Sequence, residues 1–183
     1  MSSSDTKTQD AIDVLIADHR EVEQLFTRIE SSDSGKDEAV RKVIRELSIH
    51  AAIEEQVLYP VMRRALADGD AKVDEAIQEH QEAKEALAAI EQLGDSPPRE
   101  QKLQELMEGV RHHVEEEEHE LFPEMRSAVS EDELRKLGAA LVAAKKMAPT
   151  HPHPNAPATP PGNIVAGAAA AVVDRARDAL RDN

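Results

Sequence analysis

The sequence predicts an all-α protein in which a helical hairpin is duplicated and followed by a fifth helix and a Pro-rich tail. Apolar residues recur at steps of three and four through four long segments, the period of a helix that buries one face. Residues 50–63 match residues 113–126 without a gap, and residues 18–29 match residues 79–90 at nearly the same offset. The two halves of the chain therefore share one two-helix plan.

The four helices of these hairpins are separated by turns rich in Ser, Gly, Asp and Pro. Pro60 should bend the second helix, because a proline removes a backbone donor and crowds the preceding turn. The expected helices are residues 10–31, 36–66, 71–93 and 99–129.

A fifth helix should follow the hairpins and lie across them. Ser130 followed three residues later by Glu133 is the pattern of a capping box, which marks the start of a helix. Apolar residues continue at helical spacing from there to about Met147. This element is therefore expected to be an addition to the duplicated unit and not part of it.

The tail changes composition sharply. Six prolines within residues 149–163 predict an extended segment, and residues 164–181 predict a weak amphipathic helix. His151 and His153 alternate with these prolines, a pattern that favours a solvated or surface-pinned strap over a metal site. The expected domains are the helical bundle, the additional helix, and the strap with its short helix, at 1–129, 130–148 and 149–183.

Six ionisable residues interrupt the apolar stripes of the four helices. A His and a Glu four residues apart lie on one helix face, so each such pair can direct two donors to one point. A buried carboxylate without compensation costs several kcal/mol, and a cation shared by these groups supplies that compensation. Imidazoles with carboxylates suit iron or manganese, and zinc less specifically. The candidate metal ligands are His19, His50, Glu54, His80, His113 and Glu117.

The second repeat contains a competing pair one residue earlier, His112 with Glu116. The repeat decides between them, because His113 stands ten residues before its proline, as His50 does. We therefore assign His113 and Glu117 to the inward face.

At these residues the chain resembles the hemerythrin HHE domain family over about residues 10–128. The pattern H…HxxxE…H…HxxxE is present, and Tyr59-Pro60 and Phe122-Pro123 close the second helix of each repeat. The resemblance implies an antiparallel four-helix up-down bundle around two iron ions with an oxo or hydroxo bridge, held by the six candidate ligands with both glutamates bridging. The tail is similar to the C-terminal extension of actinobacterial hemerythrin-like proteins.

One position departs from the oxygen-carrying hemerythrins. Those proteins have an extra histidine four residues after the ligand of the third helix, whereas Lys84 stands four residues after His80. Within the resemblance, both irons would keep an open position. That arrangement suits reaction with peroxide, nitric oxide or O2 better than reversible O2 carriage.

Four further residues are candidates near such a centre. Glu23 either completes one iron or forms a peripheral salt bridge. Tyr59 points away from the ligand face unless Pro60 distorts the helix, and is either a core residue or a contact of the ligands. Glu55 and Glu118 either hydrogen-bond the ligand imidazoles or are solvated.

Composition narrows the classes of partner. With 22 basic and 37 acidic residues, the net charge of −15 repels nucleic acid and anionic membranes. The longest apolar run, residues 164–173, is too short to cross a bilayer. The absence of cysteine and of an apolar segment among the first ten residues predicts a cytoplasmic protein.

The resulting functional hypothesis is a non-heme di-iron protein that binds and turns over small oxidants, namely peroxide, nitric oxide or O2. Whether it is a di-iron peroxidase-type or nitric-oxide-detoxifying oxidoreductase stays open at this point. The alternatives are an O2 or nitric oxide sensor without turnover, and iron handling, including repair of iron-sulfur centres. The sequence specifies neither the electron donor nor the oligomeric state.

Overall fold

A computed structural model describes residues 9–31, 34–94 and 96–181, so the polar residues 1–8 lie outside it. The predicted all-α class is confirmed, since the described residues contain helices and no strand. The α-helices are α1 (Ala11–Ser31), α2 (Lys36–Ile53), α3 (Tyr59–Ala65), α4 (Gly69–Leu93), α5 (Pro97–Glu116), α6 (Phe122–Ala128), α7 (Glu131–Lys145) and α8 (Gly162–Arg181). Two π-helical segments, π1 (Glu54–Leu58) and π2 (Glu117–Leu121), join α2 to α3 and α5 to α6.

The two hairpins pair in the way that the repeat predicts. α1 packs against α2, and α4 packs against α5, while α2 and α3 contact α4 across the bundle. α7 packs on α1, α2 and π1, so the fifth helix lies against the bundle. None of the described helices has the length and apolar character needed to cross a bilayer.

The apolar interior is divided into two clusters, with a layer of histidines between them. In α1, α2 and α4, and in α5 with its continuation π2, a buried histidine lies between a residue of one cluster and a residue of the other. The flanking pairs are Leu15 and Val22 around His19, Leu47 and Ile53 around His50, Ala76 and Leu87 around His80, and Val110 and Leu121 around His113. Apolar residues therefore flank the polar layer at both ends.

The π-helical segments replace the simple bend expected near Pro60. The Tyr59 N–H donates to the carbonyl of Glu54, and the Phe122 N–H donates to the carbonyl of Glu117, each five residues back. Such a wide turn inserts one residue into the helical register. Side chains after the insertion are rotated about the helix axis by roughly one residue, or about 100°. This rotation brings Tyr59 round to the histidine layer.

The Pro-rich strap, residues 149–161, docks on its own chain. The buried His151 bridges α4 and α8, with Nδ1 2.5 Å from Glu91 Oε1 and Nε2 2.8 Å from Asp178 Oδ1. Asp174, also buried, accepts hydrogen bonds from the backbone N–H groups of Thr150 and His151. The segment is thus a pinned strap and not a solvated one.

Gly138 sets how closely α7 approaches the start of α1. A Cβ there would lie 2.5 Å from the Gln9 carbonyl oxygen and 2.8 Å from the Asp10 carbonyl carbon, both backbone atoms. Gly109, in the middle of α5, has no atom within 4 Å of the same position. The two glycines therefore offer a matched test of this contact.

We expect Gly138→Ala to lower the free energy of unfolding by about 1–3 kcal/mol, because the methyl group forces backbone apart. Gly109→Ala should raise it by up to about 1 kcal/mol, since alanine favours the helix and meets nothing. Chemical denaturation of both variants measures the two changes. Equal effects of the two substitutions would contradict a tight contact between α7 and α1.

Candidate metal centre

The structure brings the six candidate ligands together in the layer between the two apolar clusters. The histidines come from α1, α2, α4 and α5, and the glutamates are the first residues of π1 and π2. All six are buried, and the carboxylates of Glu54 and Glu117 have no exposed surface. The six residues lie in the interior because they occupy the apolar face of each helix, which packs inward.

The imidazoles form two pairs. His19 Nε2 lies 3.2 Å from His50 Nε2, and His80 Nε2 lies 3.2 Å from His113 Nε2. Two nitrogens bound to one metal through bonds of about 2.1 Å would stand roughly 3.0–3.4 Å apart for angles between square and tetrahedral. Both pairs therefore have the spacing of two ligands on a shared ion.

The two buried carboxylates each reach both imidazole pairs. Glu54 Oε2 is 3.1 Å from His50 Nε2 and 3.4 Å from His80 Nε2. Glu117 Oε2 is 3.3 Å from His19 Nε2, and its Oε1 is 3.6 Å from His113 Nε2. Each carboxylate thus lies between the two positions that the imidazole pairs define.

Among the described residues, both oxygens of Glu54 and Oε2 of Glu117 are buried without a hydrogen-bond donor. A buried anionic oxygen left without a donor is strongly destabilising. A cation at each imidazole pair would satisfy these oxygens. The donor atoms of His19, His50, Glu54 and Glu117, and those of Glu54, His80 and His113, lie close enough together to hold one.

Each imidazole also has a carboxylate at its outer nitrogen. Glu118 Oε1 is 2.8 Å from His19 Nδ1, and Glu55 Oε1 is 3.1 Å from His80 Nδ1. An Nδ1–H that donates to such a carboxylate leaves the Nε2 lone pair free for a metal. Of the two readings of Glu55 and Glu118, the structure shows the one in which they hydrogen-bond the ligand imidazoles.

Two outer carboxylates were not identified from the sequence. Glu79 Oε2 is 2.6 Å from His113 Nδ1, and Asp18 Oδ2 is 3.6 Å from His50 Nδ1. Their signal was present, because both precede a ligand histidine at the same place in the repeat. On a helix, however, the preceding residue faces about 100° away, and only the neighbouring helix shows which imidazole it meets.

The electrostatics of the layer favour positive charge. Burial by itself would lower the pKa of His50, but the charge of Glu54 raises that pKa to about 10. For His80, burial is again outweighed, here by the nearby carboxylates of Glu54 and Glu55, and the pKa rises to about 9. Burial acts to raise the pKa of Glu54, yet His50 and His80 hold it well below its usual range. Either protons on the histidines or a bound metal ion would therefore supply the positive charge that the buried glutamates require.

The remaining candidates occupy distinct places. The Tyr59 hydroxyl donates to Glu117 Oε1 at 3.2 Å and lies 3.1 Å from His80 Nε2, so the phenol contacts the site through the register shift of π1. Glu23 is exposed and pairs with Arg111, which corresponds to the peripheral salt bridge. Lys84 Nζ donates to Glu55 Oε1 at 2.6 Å.

The competing register lies on the outer surface. The side chain of His112 is 65% exposed and stands 3.4 Å from Glu116 Oε1, the ordinary position of a helical surface pair. His113 and Glu117, one residue later, face the layer. The structure therefore agrees with the assignment that the repeat favoured.

A helical bundle with four imidazoles and two carboxylates in one buried layer is a cation-binding protein. The hemerythrin HHE cation binding domain matches residues 10–125. An uncharacterized hemerythrin-like protein of Schizosaccharomyces pombe is 33% identical over 173 residues, which cover 92% of this chain and 85% of the yeast protein. The chain belongs to the hemerythrin HHE cation-binding domain family, and the resemblance noted in the sequence is confirmed.

Two further comparisons extend this result. A DNA nickase of a Nostoc species is 31% identical over 145 residues, which are 78% of this chain but only 41% of the nickase. The crystal structure of a hemerythrin HHE cation binding domain-containing protein from Mycobacterium kansasii has a TM-score of 0.65, covering 75% of this chain and 86% of that one. At 22% identity, this second likeness concerns the fold alone.

The two glutamates that differ by one position provide a test of the layer. Glu117→Gln should reduce the metal bound per chain to less than about half, because the amide removes a charge from the buried ligand set. Glu116→Gln, one residue earlier on the surface, should leave metal content unchanged. Elemental analysis of both variants, purified in parallel with the wild type, makes the comparison. Equal metal content in all three proteins would show that Glu117 does not hold the metal.

Proposed function

We propose that this protein holds a carboxylate-bridged di-iron centre at which small oxidants, peroxide first among them, are bound and turned over. The observation that carries the proposal is the position of Glu54 and Glu117, each of which reaches one imidazole of both pairs. A carboxylate in that position can bridge two ions. Membership of a cation-binding family supports the same reading.

Iron is the proposed metal because of the donor set. Each imidazole pair, together with two carboxylate oxygens, provides nitrogen and oxygen ligands of intermediate hardness, which suit iron and manganese. The chain has no cysteine, so no thiolate competes for the ion. Bound iron would supply one-electron chemistry and an open coordination position, and the protein residues then have to orient the ligands and provide protons.

The outer carboxylates hold the imidazoles in place. Glu118, Glu55 and Glu79 hydrogen-bond the Nδ1 atoms of His19, His80 and His113, which fixes ring orientation and tautomer. Asp18 lies 3.6 Å from Nδ1 of His50, the fourth histidine. Lys84 and Lys145 in turn pair with Glu55 and Asp18. The ligand set is thus supported from outside and should change geometry little between metal oxidation states.

Tyr59 is a proton donor in direct contact with two of the candidate ligands, His80 and Glu117. Burial, followed by the negative charge of Glu117, raises the pKa of its phenol well above the usual value. The hydroxyl therefore keeps its proton at neutral pH and can donate a hydrogen bond to an oxygen that gains negative charge. We assign it the role of supporting the cleavage of an O–O bond beside the imidazole pair of His80 and His113.

The protein isolated without added metal should contain two irons per chain and consume hydrogen peroxide through many cycles. Tyr59→Phe should slow this turnover roughly ten-fold, since one hydrogen bond to a charged oxygen is lost. Metal content and melting temperature should stay at the wild-type values. Elemental analysis and peroxide consumption, with visible spectra before and after peroxide or nitric oxide, provide the measurements. One zinc per chain with no response to either oxidant would rule the proposal out.

A sensor without turnover is the second candidate, and one contact favours it. Gln56 of π1 donates to the carbonyl of Asn163 at the start of α8, so the segment that carries Glu54 and Glu55 touches the pinned tail. A change in the ligand set could therefore reach the strap. Neither candidate involves nucleic acid, because the net charge of −15 opposes it, and both suit the cytoplasm.

In the sensor reading, nitric oxide or O2 should change the rate of proteolytic cleavage after Pro149, with no consumption of oxidant. Limited proteolysis with and without the gas measures this rate. The control is Asp174→Ala, which removes the acceptor for the strap N–H groups and should show the cleavage rate of a released tail. An unchanged cleavage rate would exclude the sensor. Ready loss of iron to a chelator, in contrast to retention over many cycles, would indicate iron handling instead.

A further inference from the structure

A large cavity opens onto the histidine layer from one side of the bundle. It has a volume of about 540 Å³, and all four ligand histidines belong to its lining. The rest of the lining comes mainly from α1, α4 and α5. Its apolar wall is formed by residues of the second apolar cluster, namely Val22, Phe26, Leu47, Leu87, Leu106 and Val110.

This volume is much larger than a small oxidant needs. Hydrogen peroxide or a diatomic gas takes up about as much space as one water molecule, roughly 30 Å³ in the liquid. A cavity of about 540 Å³ falls within the range of sites that enclose an organic ligand. The opposite side of the layer shows what close packing around the histidines looks like. There Phe122 stacks on His19 with ring centroids 5.8 Å apart.

Five glutamates and four basic side chains, Arg20 among them, line the cavity, so its charges do not favour an anionic ligand. Three of its basic side chains are already held by acids, Lys84 by Glu55, Lys102 by Glu105 and Arg111 by Glu23 and Glu30. The carboxylates of Glu79 and Glu118 approach the ligand histidines from within the same lining. An uncharged molecule with an apolar body is therefore the occupant that these walls fit.

We propose that the cavity binds an uncharged organic hydroperoxide, with its apolar body against Phe26 and Leu106 and its O–O group at the imidazole pairs. This inference rests on the proposed peroxide turnover and names the substrate class. The reaction breaks the O–O bond of ROOH and yields ROH and H2O. It consumes two protons and two electrons, and a soluble one-electron reductant supplies the electrons. Iron held by the six ligands would supply the one-electron chemistry.

Two small residues of the lining allow the cavity to be filled. Ala83 on α4 is half-buried beside the apolar cluster, and a side chain at Gly109 on α5 has open space around its Cβ. Ala83→Leu and Gly109→Leu should therefore occupy ligand space without displacing backbone. Ala139→Leu, at an exposed position of α7 away from the cavity, adds the same volume as Ala83→Leu and is its matched control.

The test measures binding first and turnover second, on protein as purified with its metal. The binding probe is 2-phenyl-2-propanol, the alcohol product of cumene hydroperoxide. Titration calorimetry should show saturable binding to the wild type and to Ala139→Leu, weakened at least about ten-fold in the filled variants, as loss of a methylene-sized space or more implies. Cumene hydroperoxide consumption, with ascorbate as reductant, should fall in parallel, while hydrogen peroxide consumption stays at the wild-type rate.

The binding measurement tests the ligand class of the cavity, and the consumption of the two peroxides tests the proposed function. No binding of the alcohol to the wild type, or equal binding to the filled variants, would overturn the assignment of the cavity. Binding that the filled variants lose, together with no consumption of either peroxide, would keep the cavity as an apolar ligand site and refute peroxide turnover. Equal loss of both peroxide activities, with normal metal content, would show that the variants disturb the centre itself and would also count against the assignment.

Discussion

Two buried carboxylates, three of whose four oxygens lack a hydrogen-bond donor, are the constraint on which this structure depends. Glu54 and Glu117 are enclosed between two apolar clusters, and the buried oxygens left unpartnered point at imidazole nitrogens. Such groups stay in a folded core only when positive charge compensates them. The same carboxylates raise the pKa values of His50 and His80, which favours the protonated, positively charged imidazoles. A cation bound in this layer would therefore also stabilise the fold.

The backbone meets that constraint through its two π-helical segments. Both begin at the buried glutamate and end just before the aromatic-proline pair, so the repeat preserves the irregularity as well as the ligands. Proline lacks the N–H that a regular helix would use at this point, and the wider turn absorbs the loss. The resulting rotation stacks the ring of Tyr59 on that of His80 and the ring of Phe122 on that of His19. The π-helical distortion before each proline therefore also accounts for the positions of Tyr59 and Phe122 beside the histidines.

The sequence predicted what depends on periodicity and repetition. The stripes of α1, α2, α4 and α5 located the helices, and the offset between the repeats chose His113 over His112. It did not predict what depends on contacts between helices. Asp18 meets a histidine of α2 and Glu79 one of α5, and the docking of His151 requires Glu91 and Asp178 from two different helices. Those pairings are set by packing, which no single helix pattern contains.

The duplicated hairpins supply a nearly symmetric ligand set, but the surroundings of the two imidazole pairs differ. Tyr59 places a phenol next to His80, whereas its counterpart in the repeat, Phe122, places only a ring face against His19. Ions bound at the two pairs would therefore have different surroundings, with a phenol beside one and a phenylalanine ring beside the other. A proton donor on one side would assist cleavage of an O–O bond, because one oxygen can leave with a proton while the other is held. The asymmetry therefore favours turnover over simple storage of a gas.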